Sequence, residues 1–179
     1  MKVPWHWLLG LGLMLTSAIV LAALQTSLWF LVFGRFPAPL FWLINLVYIS
    51  VSRSLWEATA VTYLFCAVTA PFTAFPFEDF LLFQLSLMVI LILIRERVYW
   101  GGSTYFMLMV GVASITAPIL FWILSRLLDK NPLSLPAIFD WLIAGCLTAL
   151  FSLPLYRLYQ KFDAIAALEP GSETRIGPR

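Results

Sequence analysis

Long apolar stretches, cut at short intervals by one to three charges, set the pattern of this chain. Trp7 to Phe33 runs 27 residues without a charge, Phe36 to Ser52 17, Ala58 to Phe77 20, Phe80 to Ile94 15 and Val98 to Ser125 28. A last stretch, from about Leu135 to Leu155, is interrupted only by Asp140. A helix crosses the roughly 30 Å hydrocarbon core of a bilayer with about 20 residues, range about 17–25. The fourth stretch is short, but Arg95 can snorkel to the interface and the residues after Asp79 can lengthen it. The pattern predicts an all-α integral membrane protein with six transmembrane helices, over about 7–33, 38–52, 58–77, 80–95, 103–126 and 135–158. They form one domain over 1–163, with a flexible tail over 164–179.

A β-barrel would alternate apolar and polar residues in segments of about ten. Runs such as "LLFQLSLMVILILI" (81–94) are apolar on every side, so a barrel does not fit. The first apolar run is about twice the 7–15 residues of a signal peptide, and a single lysine precedes it, so it is expected to stay uncleaved. The predicted connections are Gly34-Arg35, Arg53 to Glu57, Glu78-Asp79, Arg95 to Arg97 and Leu127 to Ser134, too short to hold a soluble domain. The tail "EPGSETRIGPR" has the composition of a disordered end.

Composition agrees. Apolar residues make up 62% of the 179, against about 45–50% in soluble domains, charged residues only 11%, and the mean hydropathy is +0.94. The net charge of +2 is too small to suggest nucleic-acid binding. Its distribution says more. Lys2, Arg53, Arg95, Arg97, Arg157 and Lys161 fall on the side of both termini, and Arg35, Arg126 and Lys130 on the other. Positive charge favours the cytoplasmic face, so both termini are expected there, in a multi-pass protein of the cell membrane. Tyr99 and Trp100, after the Arg95–Arg97 cluster, are expected at headgroup level, as is His6 between Trp5 and Trp7.

Candidate chemistry is sparse. Catalytic and transport proteins keep ionisable groups in mid-span, whereas Glu57, Glu78, Asp79 and Asp140 all lie near predicted helix ends. Glu78 and Asp79 read as a solvated turn. Asp140 either caps the last helix or pairs with Arg126 or Lys130. Cys66 and Cys146 lack metal or redox spacing and read as small buried residues. With a single histidine, and no phosphate-binding loop, GxSxG or HExxH motif, the expectation is a protein that is not an enzyme and needs no metal or cofactor.

Polar groups inside the spans, Gln25, Asn45, Gln84 and Thr or Ser at 59, 62, 69, 86, 114, 116 and 148, suit hydrogen bonds between helices. Asn45 could equally mark a ligand pocket or a partner's helix. Ala18 with Ala22, and Gly145 with Ala149, place small residues at the four-residue spacing that lets helices approach closely. Pro118 and Pro154 are expected to kink the last two helices, and Pro71 and Pro76 to end the third. Trp29, Phe30, Phe41, Trp42, Trp56, Phe106, Trp122 and Trp141 are aromatic anchors for lipid or a partner. Arg53, Arg95, Arg97, Arg157 and Lys161 set orientation and could attract anionic lipid or an acidic partner.

Three stretches carry a family likeness: "LQTSLWFLVFGRFPAPLFWLINLVYISVSRS" (24–54), "LILIRERVYWGGSTYFMLMV" (91–110) and "LPLYRLYQKFD" (153–163). In these and in its layout the chain resembles the rod-shape-determining membrane protein MreD family of bacteria, over roughly residues 8–163. It departs from the family's Gly- and Asp-containing segment around the third helix, reading "FCAVTAPFTAFPFED" there. The resemblance implies a non-enzymatic scaffold of the cell-elongation complex in the bacterial inner membrane. Such a scaffold binds MreC and helps couple MreB filaments to RodA and its penicillin-binding transpeptidase. It also implies a fold similar to the substrate-binding subunits of energy-coupling-factor vitamin transporters. That function is the alternative, with Ala18 and Ala22 suited to docking on a coupling subunit.

Overall fold

The computed structural model describes residues 5–73, 75–98, 102–128 and 138–165. The first apolar run forms one long rod: α1 (Trp5–Ala23), a π-helical turn (Leu24–Leu28) and α2 (Trp29–Phe33). The chain then turns at Gly34, whose φ of 62° favours a residue without a Cβ. After an extended stretch over 37–40 come α3 (Phe41–Ser52), α4 (Leu55–Thr69), a 3₁₀ turn (Ala70–Phe72), α5 (Phe77–Arg97), α6 (Ser103–Leu128) and α7 (Ile138–Ile165). Five helical stretches are long and apolar enough to cross a membrane: Leu8–Phe33, Leu55–Phe72, Phe77–Arg97, Ser103–Leu127 and Phe139–Ile165. The protein is therefore an all-α, multi-span membrane protein.

The second predicted span is the departure. Helix is limited to the 12 residues of α3, a rise of about 18 Å, well short of the hydrocarbon core. Pro37 and Pro39 explain the late start. Proline holds the residue before it in extended backbone and supplies no N–H of its own. The shortened helix lies at the centre. It packs against α1, α4, α5, α6 and α7 alike, and every residue from Leu43 to Ser50 is buried. A helix apolar all round belongs in such a position.

Other boundaries also moved. α4 begins at Leu55, where Ser54 and Glu57 form a reciprocal capping box, and ends before the 3₁₀ turn that contains Pro71. Glu78 and Asp79, expected in a turn, instead occupy the first turn of α5, where negative charge is favoured by the helix dipole. Arg95, Glu96 and Arg97 end α5 instead of forming a loop, and basic charge is favoured at that end. α6 and α7 run unbroken through Pro118 and Pro154. Helix α7 continues seven residues beyond the predicted limit of 158, which brings Asp163 into the folded body. Tyr99, Trp100, Lys130, the predicted start of the last span at 135 and the tail beyond 165 lie outside the described residues, as does the side chain of His6.

The small residues join helices to one another. Ala18 and Ala22 are buried on the inner face of α1. Gly145 faces α6 so closely that a Cβ there would lie 3.0 Å from the Ser114 hydroxyl. Ala149, one turn on, is half-buried.

Candidate functional site

A short helix inside a membrane leaves unpaired N–H groups at its start and unpaired carbonyls at its end, with no water nearby to satisfy them. Side chains from the surrounding helices meet both ends of α3. At its start, the Leu40 N–H donates to the Thr148 hydroxyl of α7 (2.9 Å), which itself donates to the Ala144 carbonyl. The Phe41 N–H donates to Gln25 Oε1 (3.2 Å), presented by the π-helical turn. At its end, Arg95 of α5 donates to the carbonyls of Ser50 (2.9 Å), Val51 (3.3 Å) and Arg53 (2.7 Å).

Beside that basic end, α7 supplies a buried carboxylate. Asp163 accepts from the Tyr48 hydroxyl (2.5 Å) and pairs with Arg53 (2.5 Å), its side chain 2% exposed and that of Arg53 11%. One turn back, the Tyr159 hydroxyl donates to Asn45 Oδ1. Tyr48, Phe106, Tyr156 and Tyr159 enclose the group with edge-on, tilted and stacked ring contacts. Ionisable groups at such depth persist when paired.

The sequence singled out Gln25, Asn45, Arg53 and Arg95; Asn45 lies within α3, Arg53 follows its last residue, and Gln25 and Arg95 meet its two ends. Asp163, Tyr48 and Tyr159 were missed. A signal was present: Thr148, Ser152, Tyr159 and Asp163, all buried, stand at intervals of four, seven and four, one continuous helical face running past the predicted end. Of the other basic residues, Arg97, Arg157 and Lys161 are exposed. Asn45 Nδ2, both polar atoms of the Gln84 amide and the Tyr105 hydroxyl are buried without a hydrogen-bond partner among the described residues.

At the opposite end, a cleft of about 630 Å³ opens among the helix ends, the extended 37–40 stretch and the segment after α4. Of its 20 lining residues, eight are aromatic, Trp42, Trp122 and Trp141 among them. Its polar groups are Gln25, the hydroxyls of Thr26, Thr69 and Thr73, and the carboxylate of Asp140. Asp140 sits in the first turn of α7, in the capping region expected for it. Of the alternatives to capping, Arg126 does not pair with Asp140, and its guanidinium lies 5.4 Å over the Trp122 ring; Lys130 lies outside the described residues.

Among the described residues, no three His, Cys, Asp or Glu side chains are grouped to hold a metal. Both cysteines are free. Cys66 is buried as expected, but Cys146 is exposed on α7, contrary to its reading as a core residue. Comparison with known proteins gives no relative: no family model, no curated protein and no solved structure matches the chain.

Proposed function

We propose that this chain is a non-enzymatic membrane scaffold of the MreD kind, acting in the bacterial cell-elongation complex. One observation carries the reading. The three stretches that resemble the family, 24–54, 91–110 and 153–163, come together as a single unit around α3. Gln25 meets the start of the helix, Arg95 its end, and Tyr159 with Asp163 its side.

In this reading the 12-residue α3 and its extended entry together make the sixth crossing. About 18 Å of helix and about 13 Å of extended chain match the bilayer core. The basic end faces the cytoplasm, in the inner membrane, with both termini on that side. The lipid-facing surface carries large side chains, among them Phe30, Leu31 and Leu150, 58%, 82% and 63% exposed, that a single-span partner can cover. MreC is that partner, with RodA, the transpeptidase and MreB reached through it.

The test is affinity purification in mild detergent, with mass spectrometry of the protein and small-molecule fractions. MreC is expected, without a bound vitamin. A vitamin with an ATPase module, and no MreC, overturns the scaffold in favour of a second reading, the substrate-binding subunit of a vitamin transporter. The cleft favours that second reading. Ala18 and Ala22, buried inside the bundle, do not present the docking face it would need.

A further inference from the structure

We propose that the cleft at the Asp140 end binds a small organic ammonium ion with an apolar or aromatic body. The inference goes beyond the scaffold reading and does not depend on it.

The volume of about 630 Å³ suits a drug-sized molecule, since such sites run to about 300–1,000 Å³. The walls favour an apolar body, and the character of the polar groups selects its head. Asp140 is the one ionisable lining residue among those described, and it has no ion pair among them. The three threonine hydroxyls already donate to carbonyls of their own segments: Thr26 to Ala22 (2.9 Å), Thr69 to Phe65 (2.8 Å) and Thr73 to Ala70 (3.0 Å). Their oxygens remain as acceptors. The Trp141 N–H is likewise committed, to the Ser114 carbonyl at 2.8 Å.

The rings add to this preference. Aromatic faces attract cations, most strongly when the cation is removed from water. Trp122 already shows the behaviour by holding the Arg126 guanidinium over its ring. The Gln25 amide, whose Oε1 accepts from the Phe41 N–H, adds only a neutral donor. The Asp140 carboxylate, the one charged lining group among the described residues, therefore decides the head. With the acceptor hydroxyls and aromatic faces it complements an ammonium group, and it repels an anion of the same shape.

Three probes with one body and different heads test this: 3-phenylpropylamine, 3-phenylpropanol and 3-phenylpropanoate. Each is titrated into the full-length protein in lipid nanodiscs, followed by tryptophan fluorescence and calorimetry. The amine is expected to bind at least about fivefold more tightly than the alcohol, and the carboxylate least. Asp140→Asn is expected to bring the amine to the level of the alcohol while leaving the alcohol unchanged, and Asp140→Glu to keep the preference. Ala144→Trp, which fills the cleft, is expected to abolish binding of all three. Equal binding of the three heads, preference for the carboxylate, or no saturable binding of the amine overturns the proposal. So does an amine preference that survives Asp140→Asn. The comparison of heads needs no variant, so a misfolded mutant does not rescue the idea. Failure here leaves the scaffold reading in place, because that reading is tested by recovery of a partner protein.

Discussion

Asp163 brings a full negative charge among aromatic rings, and its two oxygens find two different partners. Arg53 compensates the charge, and the Tyr48 hydroxyl satisfies the second oxygen. The value of such a pair is asymmetric. Removing one member strands the other and costs about 3–5 kcal/mol, whereas replacing the whole set with apolar groups of similar volume is often neutral. Asp163→Leu alone is therefore expected to lower stability by about that amount, leaving Arg53 and Tyr48 unpaired. The triple variant Tyr48→Phe, Arg53→Met, Asp163→Leu is expected to regain most of the loss. Reversible unfolding in mixed micelles measures both. A triple variant as unstable as the single one would mean that the polar set itself, and not the stranding of its members, holds α7 to α3.

At the level of elements, α3 shows what the sequence could and could not tell. Charge-free runs are long and nearly continuous, so the presence and order of the helical segments were legible from composition alone. The length of α3 was less so. An apolar stretch such as "FPAPLFWLINL" looks the same to a hydropathy count whether it is helical or extended, and the predicted start at 38 took no account of Pro39. The partners of its ends were not legible, because they come from residues 16 to 110 positions away. Arg95 and Arg97 make the difference plain. Read along the chain they are equivalent topology markers, but in the fold only Arg95 closes the carbonyls ending α3, while Arg97 is exposed. Hydrogen bonds from a charged donor contribute about 1.5–3 kcal/mol, and exposed substitutions usually stay within about 0.5. Arg95→Gln is expected to lower the melting temperature clearly and Arg97→Gln hardly at all, although each removes one positive charge. Fluorescence-detected size exclusion of heated samples reads the contrast. Equal losses would show that the cap is not a stabilising contact.

For the molecule as a whole, the two ends differ in chemistry, and that difference fixes a testable orientation. The end formed by Arg53, Arg95, Arg97, Arg157 and Lys161 is basic, and the other is an aromatic cleft that holds the Asp140 carboxylate. Positive residues are held on the cytoplasmic side during insertion, whereas acidic ones contribute little. Trp56, 83% exposed in the first turn of α4, marks the basic end, and Phe139, 81% exposed, marks the cleft end at the start of α7. With Cys66 and Cys146 replaced by alanine, single cysteines at these two positions are expected to behave oppositely in intact cells whose outer envelope admits the reagent. A membrane-impermeant maleimide should label Phe139→Cys and spare Trp56→Cys until the cells are opened. The reverse pattern would invert the protein. It would also turn the cleft to the cytoplasm, where an organic ammonium ion would have to come from metabolism inside the cell instead of from the surroundings. Labelling of both positions from outside would mean that α4, α5 and α6, the three helices between them, do not all cross the membrane.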